Sequence, residues 1–257
     1  MQELTFWDHI EVLRHMLFRV LGVMFLASIA FFIFMPQLFD QVIMAPCFGD
    51  FPIYRLFCDI TKQFTNDTSF CDESFQIQII NIRLAAQFMI HMQMSFLLGL
   101  IVSFPYVLFE IWKFIAPALY DKEKNSFRLA FSLSSILFYS GVSLSYFVVF
   151  PITLRFLAGY QITSLVSNQL SLDSYISNFI TLNLIMGLVF ELPMLALILS
   201  KLGIVKRHFF SKYRKHAIIV LLILAAVITP TGDPFTLLIV ALPLYILYEI
   251  SAILVKK

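Results

Sequence analysis

Charge is scarce in this chain. Only 13% of its 257 residues are Asp, Glu, Lys or Arg, while 60% are apolar and the mean hydropathy is +0.88. A soluble globular domain carries about 25% charged residues. That shortfall excludes a soluble fold and identifies an integral membrane protein. Glycine is also rare at 8 residues, and no heptad, repeat, low-complexity tail or soluble-sized segment interrupts the apolar pattern, so one membrane domain over 1–257 is expected. The 3 cysteines have no paired histidines at a zinc-binding spacing. HExxH, a phosphate-binding glycine loop and a dinucleotide fingerprint are all missing, so neither a cofactor nor an enzymatic activity is expected. Glu3, Asp8 and Glu11 precede the first apolar run and no small-residue cleavage site follows it, which argues against a cleavable signal peptide.

What is present are apolar stretches separated by short polar ones. Residues 1–16 are amphipathic, with Leu4, Trp7, Ile10, Leu13 and Leu17 at helical spacing, and predict a helix lying along the interface. The expected fold is all-α and polytopic, with six transmembrane helices at about 20–35, 84–109, 129–150, 180–199, 217–228 and 235–255 and an outer loop over 36–75. Pro151 is expected to end the third span. Cations cluster on alternate connections: Arg14 and Arg19, then Lys113, Lys122, Lys124 and Arg128, then Lys201 through Lys215, then Lys256 and Lys257. The positive-inside tendency therefore puts both termini in the cytoplasm. The last two spans are expected to be short. The run 217–228 covers about 18 Å against roughly 30 Å of hydrocarbon, and Glu249 interrupts the other.

Four groups of residues invite a chemical role. Glu191 is a carboxylate inside an apolar span, which costs a few kcal/mol unless it is protonated, paired or hydrated, and so reads as functional. Gln87, His91, Ser95 and Gly99 recur every four residues and form a polar or small stripe that should face protein. Glu123 stands among cations on the first inner connection, where a carboxylate can accept a planar guanidinium fork. Cys47, Cys58 and Cys71 share the outer loop; Cys58 and Cys71 are the candidate disulfide, with free thiols as the open alternative.

The wording FEIWKFIAPALYDKEK from Phe109, followed by FYSGVSLSYFVVFP from Phe138, resembles the TatC family, the multispanning receptor subunits of the twin-arginine protein translocase. The resemblance implies a noncatalytic protein-transport role. A cytoplasmic face would bind the twin-arginine signal peptides of folded precursors. Small single-span Tat subunits would then assemble on the spans, and the proton-motive force would drive passage, in an oligomeric complex of the bacterial inner membrane or an organellar membrane. Residue by residue, PALYDKE carries the signal-binding position Glu123, with Phe114 just before the motif and Lys124 just after it. His9, Leu13 and Arg14 match a His-Leu-x-Glu-Leu-Arg stretch, but Val12 occupies the family's Glu position and Glu11 stands one residue earlier. VFELP places Glu191 at an intramembrane contact for the small subunits, with Gln87 added from the polar stripe. MAPC places Pro46 in the outer loop, and ITPTGDPFT supplies Asp233.

Two rival classes remain at this stage. Gly141-Val142-Ser143-Leu144 faintly resembles an intramembrane serine protease, but spans four to six hold no histidine to activate the serine. A proton-coupled small-solute transporter, with Glu191, Gln87 and His91 as its path, would need a solute-sized cavity and usually internal repeats. Neither reading gives a nucleic acid any place.

Overall fold

The computed structural model describes residues 6–64, 76–116, 121–163, 168–201, 203, 207–229 and 233–255. Helices dominate, as they must in hydrocarbon, where each backbone amide needs a partner within its own segment. The first helix, α1 (Phe6–Leu38), is followed by a π-helical turn over Phe39–Ile43 and a short 3₁₀ turn over Ala45–Cys47. α2 (Pro52–Phe64) lies in the outer loop, and α3 (Ala86–Ile115) returns across the bundle. α4 (Asp121–Leu144), a second π turn (Ser145–Val149) and α5 (Phe150–Gly159) form one continuous rod. α6 (Leu172–Val189) and α7 (Leu192–Lys201) make another. The short α8 (Arg207–Lys212) leads into α9 (Arg214–Ile228), and α10 (Pro234–Leu254) closes the chain.

Among the described residues, five stretches are long and apolar enough to cross a bilayer: Ile10–Cys47, Ala86–Ile115, Phe131–Gly159, Leu172–Lys201 and Pro234–Leu254. α9 has 15 residues, about 22 Å, and is short of a full crossing at helical rise. Beside the helices, β1 (Ile79–Ile80) and β2 (Leu170–Ser171) pair in parallel, tying the outer loop to the start of α6.

Three expectations change. The interfacial N-terminal helix and the first span are a single unbroken helix, because no Gly or Pro lies at their junction, 17–19. Pro151 does not end the third span. The wide π turn just before it shifts the hydrogen-bond register, so the missing proline N–H falls in the first turn of a fresh helix and the rod continues to Gly159. The last span is longer than its apolar run suggests: α10 has 21 residues. Glu249 does not interrupt it, because Arg214 Nη2 sits 2.8 Å away and Tyr245 donates a 3.1 Å hydrogen bond to the same carboxylate.

α1 packs chiefly on α3, α4 on α6, and α10 on α7 and α9. Small residues set the closest approaches, as expected where lipid removes most of the hydrophobic drive between helices. Gly99 of α3 lies against the backbone of Ser28 in α1. Gly141 of α4 lies against the Met186 carbonyl and Phe190, and Gly187 against Phe138. The glycine of the protease-like tetrad is thus a helix-packing residue. Apart from the exposed Gln87, the polar stripe of α3 does face protein: His91 Nε2 is 2.8 Å from the Phe32 carbonyl of α1, and its ring stacks on Phe32.

Candidate functional site

At the end of the bundle that carries the basic connections, α1 packs on α3 and α3 on α4. α1 brings Glu11 and Arg14, both exposed and 3.5 Å apart in an i, i+3 pair, which at that exposure contributes little stability. α3 ends with Trp112, Lys113 and Phe114. α4 begins at Asp121, so Glu123 and Lys124 stand in the first turn of a helix rather than on a loop. An acidic residue there is favoured by the helix dipole. The side chains of Glu123 and Lys124, and residues 117–120, lie outside the described residues. The Trp112 ring meets Phe131 at 5.6 Å, joining the end of α3 to α4.

Sequence reading missed the residue that ties α1 to this corner. Glu110 is only 4% exposed, near the basic end of α3. Its Oε2 accepts from Arg19 Nε at 3.1 Å and Nη2 at 2.8 Å, and Tyr106 donates to its Oε1 at 3.2 Å. The signal was visible: a carboxylate within the apolar run FPYVLFEIW meets the same criterion that singled out Glu191.

Glu191 lies at the break between α6 and α7, two residues before Pro193, which lacks the amide that would continue the helix. Ser134 of α4 donates to Glu191 Oε2, while Oε1 is buried and has no hydrogen-bond partner among the described residues. Gln87 stands in the first turn of α3 and is exposed, at the other end of the bundle. His91 is engaged with α1. Glu191, Gln87 and His91 are therefore not brought together, and the proton path of the transporter reading has no continuous set of groups.

At the opposite end, Tyr54 of α2 is fully buried and its hydroxyl lies 2.9 Å from both the Pro46 and Pro151 carbonyls. Tyr54 thus staples the outer loop to the third span. Burial pushes its hydroxyl pKa up, against the lowering influence of Arg155, whose guanidinium stacks 4.7 Å over the ring. Asp233 is the N-cap of α10, accepting from the Thr236 amide at 2.7 Å, a structural role that its D-P-x-T setting explains. Cys58 is disulfide-bonded and Cys47 is free and buried; Cys71 lies outside the described residues. Thiol counting on the denatured chain should give one reactive cysteine without reductant and all 3 with it. Three without reductant would contradict the bridge.

Fold and site together define a multi-pass helical membrane protein with a basic, carboxylate-bearing face at one end and a buried carboxylate between its spans. The family model for the Sec-independent protein translocase protein TatC matches residues 8–243. A TatC protein of Blattabacterium is 38% identical over 97% of this chain and 94% of its own length, and one of Deinococcus radiodurans is 34% identical over 96% and 84%. A crystal structure of the twin-arginine translocase receptor TatC superposes with a TM-score of 0.73 at 30% identity, covering 96% of this chain and 97% of the other. The same receptor in a detergent-bound form gives 0.75. The chain belongs to the TatC family of protein translocase subunits.

Proposed function

We infer that this chain is the signal-recognising subunit of a twin-arginine translocase, crossing the bacterial inner membrane six times with both termini in the cytoplasm. α9 is the short fifth crossing. The observation that supports the reading is the corner at the basic end, where the Arg19–Glu110 pair ties α1 to α3 and the Trp112–Phe131 contact ties the end of α3 to α4. An arginine pair on a precursor is always charged and presents planar forks, so carboxylates on two neighbouring elements discriminate it from lysines. Glu123 is the principal acceptor. Glu11 takes over part of the role that the family assigns to the position held here by Val12.

Glu191 serves as the intramembrane contact for the small single-span subunits. Its unpartnered Oε1 accepts a donor from a neighbouring helix, and Ser134 holds the carboxylate in place. Such a bond inside hydrocarbon contributes about 1 kcal/mol, enough to bias assembly without locking it.

The test is photocrosslinking from an aromatic probe at Phe114, which leaves Glu123 in place, to a precursor bearing twin arginines, beside the same precursor with twin lysines. We expect selective adducts with the arginine form. The adduct should fall about tenfold in Glu123→Ala, because a lost charge-assisted bond is worth about 1.5 kcal/mol or more. Equal labelling of both precursors in energised membranes would reject the receptor reading.

A further inference from the structure

A cavity of about 580 Å³ opens between the outer-loop segment 76–78, α5 and the first turns of α6. It lies at the end opposite the basic corner, and its volume falls within the range of ordinary ligand sites. Its rim is made of amides: Gln76, Gln78, Asn168, Gln169 and Asn178. Among the described residues, the side chains of the three glutamines make no hydrogen bond, so each offers a donor and an acceptor to an incoming group. Asn168 and Asn178 use their NH₂ groups on nearby carbonyls, which leaves their oxygens as acceptors. The floor is apolar, formed by Phe150, Leu154 and Leu182.

One polar group stands in that floor. Thr153 is 5% exposed, and its Oγ1 is buried with no hydrogen-bond partner among the described residues. Ser28, Ser95, Ser103 and Thr229 all satisfy their hydroxyls on the carbonyl four residues back. Thr153, the fourth residue of α5, does not. A buried hydroxyl left unpaired costs about 1–3 kcal/mol, a cost that a ligand reaching the floor would relieve.

We propose that this cavity is a binding site for an extended, uncharged stretch of polypeptide. The lining offers both donors and acceptors, as a peptide backbone requires, over an apolar floor that takes small apolar side chains. Among the described residues no charged side chain lines it. The phosphate of a phospholipid is an acceptor-only anion and calls for Lys or Arg. From Ser174 to Leu182 the cavity follows α6 for about 12 Å, the span of about four extended residues. The segment comes either from the transported precursor or from the outward-facing end of a small subunit.

The experiment places p-benzoylphenylalanine at Leu157, which lines the cavity, and for background at Ile162, which is 91% exposed and does not. The full chain is irradiated in membranes with the small subunits, with and without precursor, and also alone in phospholipid vesicles. We expect polypeptide adducts from Leu157 but not from Ile162, mapping to a segment without charged residues. Adducts that need precursor identify it as the source; adducts without it identify a subunit. Thr153→Val, which keeps shape, and Gln78→Leu, at the exposed rim, should each lower the yield about fivefold, the equivalent of one hydrogen bond. Adducts only with lipid, only within the chain itself, or indifferent to both variants would overturn the proposal. The Phe114 probe, run in parallel, scores signal recognition separately.

Discussion

Leucine in place of Gly99 is expected to abolish accumulation of folded protein, whereas leucine in place of Gly22 should change almost nothing. Both glycines sit in long apolar helices, and a composition-based view would treat them alike. Their surroundings differ. A Cβ built on Gly99 would lie 2.4 Å from Ser28 Oγ, 2.9 Å from the Ser28 amide nitrogen and 3.0 Å from its Cα, while one on Gly22 meets nothing within 4 Å. The Ser28 hydroxyl can rotate away, but its backbone cannot. Any side chain at Gly99 therefore pushes α1 off α3.

That contact is the main attachment of α1, most of whose apolar surface faces away from the bundle. Forcing atoms into a packed contact costs about 1–3 kcal/mol, and more where backbone must move, so Gly99→Leu should exceed the upper figure and Gly99→Ala fall within it. Ser28→Gly should rescue Gly99→Ala only in part, since it removes the 2.4 Å clash and leaves the backbone ones. Size-exclusion profiles and thermal melts in detergent read this directly. A monodisperse Gly99→Leu protein with an unchanged Tm would show that α1 is not held through this contact.

The same contact shows how much was legible in the sequence. Periodicity alone predicted that the Gln87–His91–Ser95–Gly99 stripe faces protein, because four-residue spacing keeps one helix face. Which helix it faces depended on tertiary packing. Composition located the apolar runs, and Glu191 stood out through its cost in hydrocarbon. The partner that answers that cost, Ser134, is 57 positions away and carries no local mark. Pro151 was misleading for a physical reason: a proline ends a helix only if the register is fixed, and the π turn at Ser145–Val149 moves it. Glu249 misled in the same way, because Arg214 neutralises it from another helix. Tyr54, which gives Pro46 a role as a hydrogen-bond acceptor at the outer cap, looked like one aromatic among many. Glu110 was readable by the rule applied to Glu191, but it lay inside the stretch already taken as a membrane exit.

Removing Arg19 is expected to destabilise the protein far more than removing its partner Glu110, although the two form one ion pair. The asymmetry follows from burial. The Glu110 side chain is 4% exposed and that of Arg19 47%. In Arg19→Leu the carboxylate keeps only the Tyr106 hydroxyl and remains a desolvated group without its countercharge, a loss of about 3–5 kcal/mol. In Glu110→Leu the guanidinium is already half in water and extends along its stem to the surface. That loss should be about 1 kcal/mol, once solvent screening of an exposed partner is allowed for. In Tm the contrast corresponds to a fall of about 10 °C against about 3 °C.

The double variant Arg19→Leu/Glu110→Leu should return close to the parent, because no unpaired charge remains and two apolar side chains fill the contact. Equal losses in the single variants would mean that Glu110 is hydrated in the membrane and that the pair behaves as a surface contact. A double variant as unstable as Arg19→Leu would mean that the bidentate geometry, rather than charge compensation, holds α1 to α3. Only the expected ordering supports Arg19 as the counterion that permits a carboxylate at this depth, and with it the attachment of the basic end of α1 to α3.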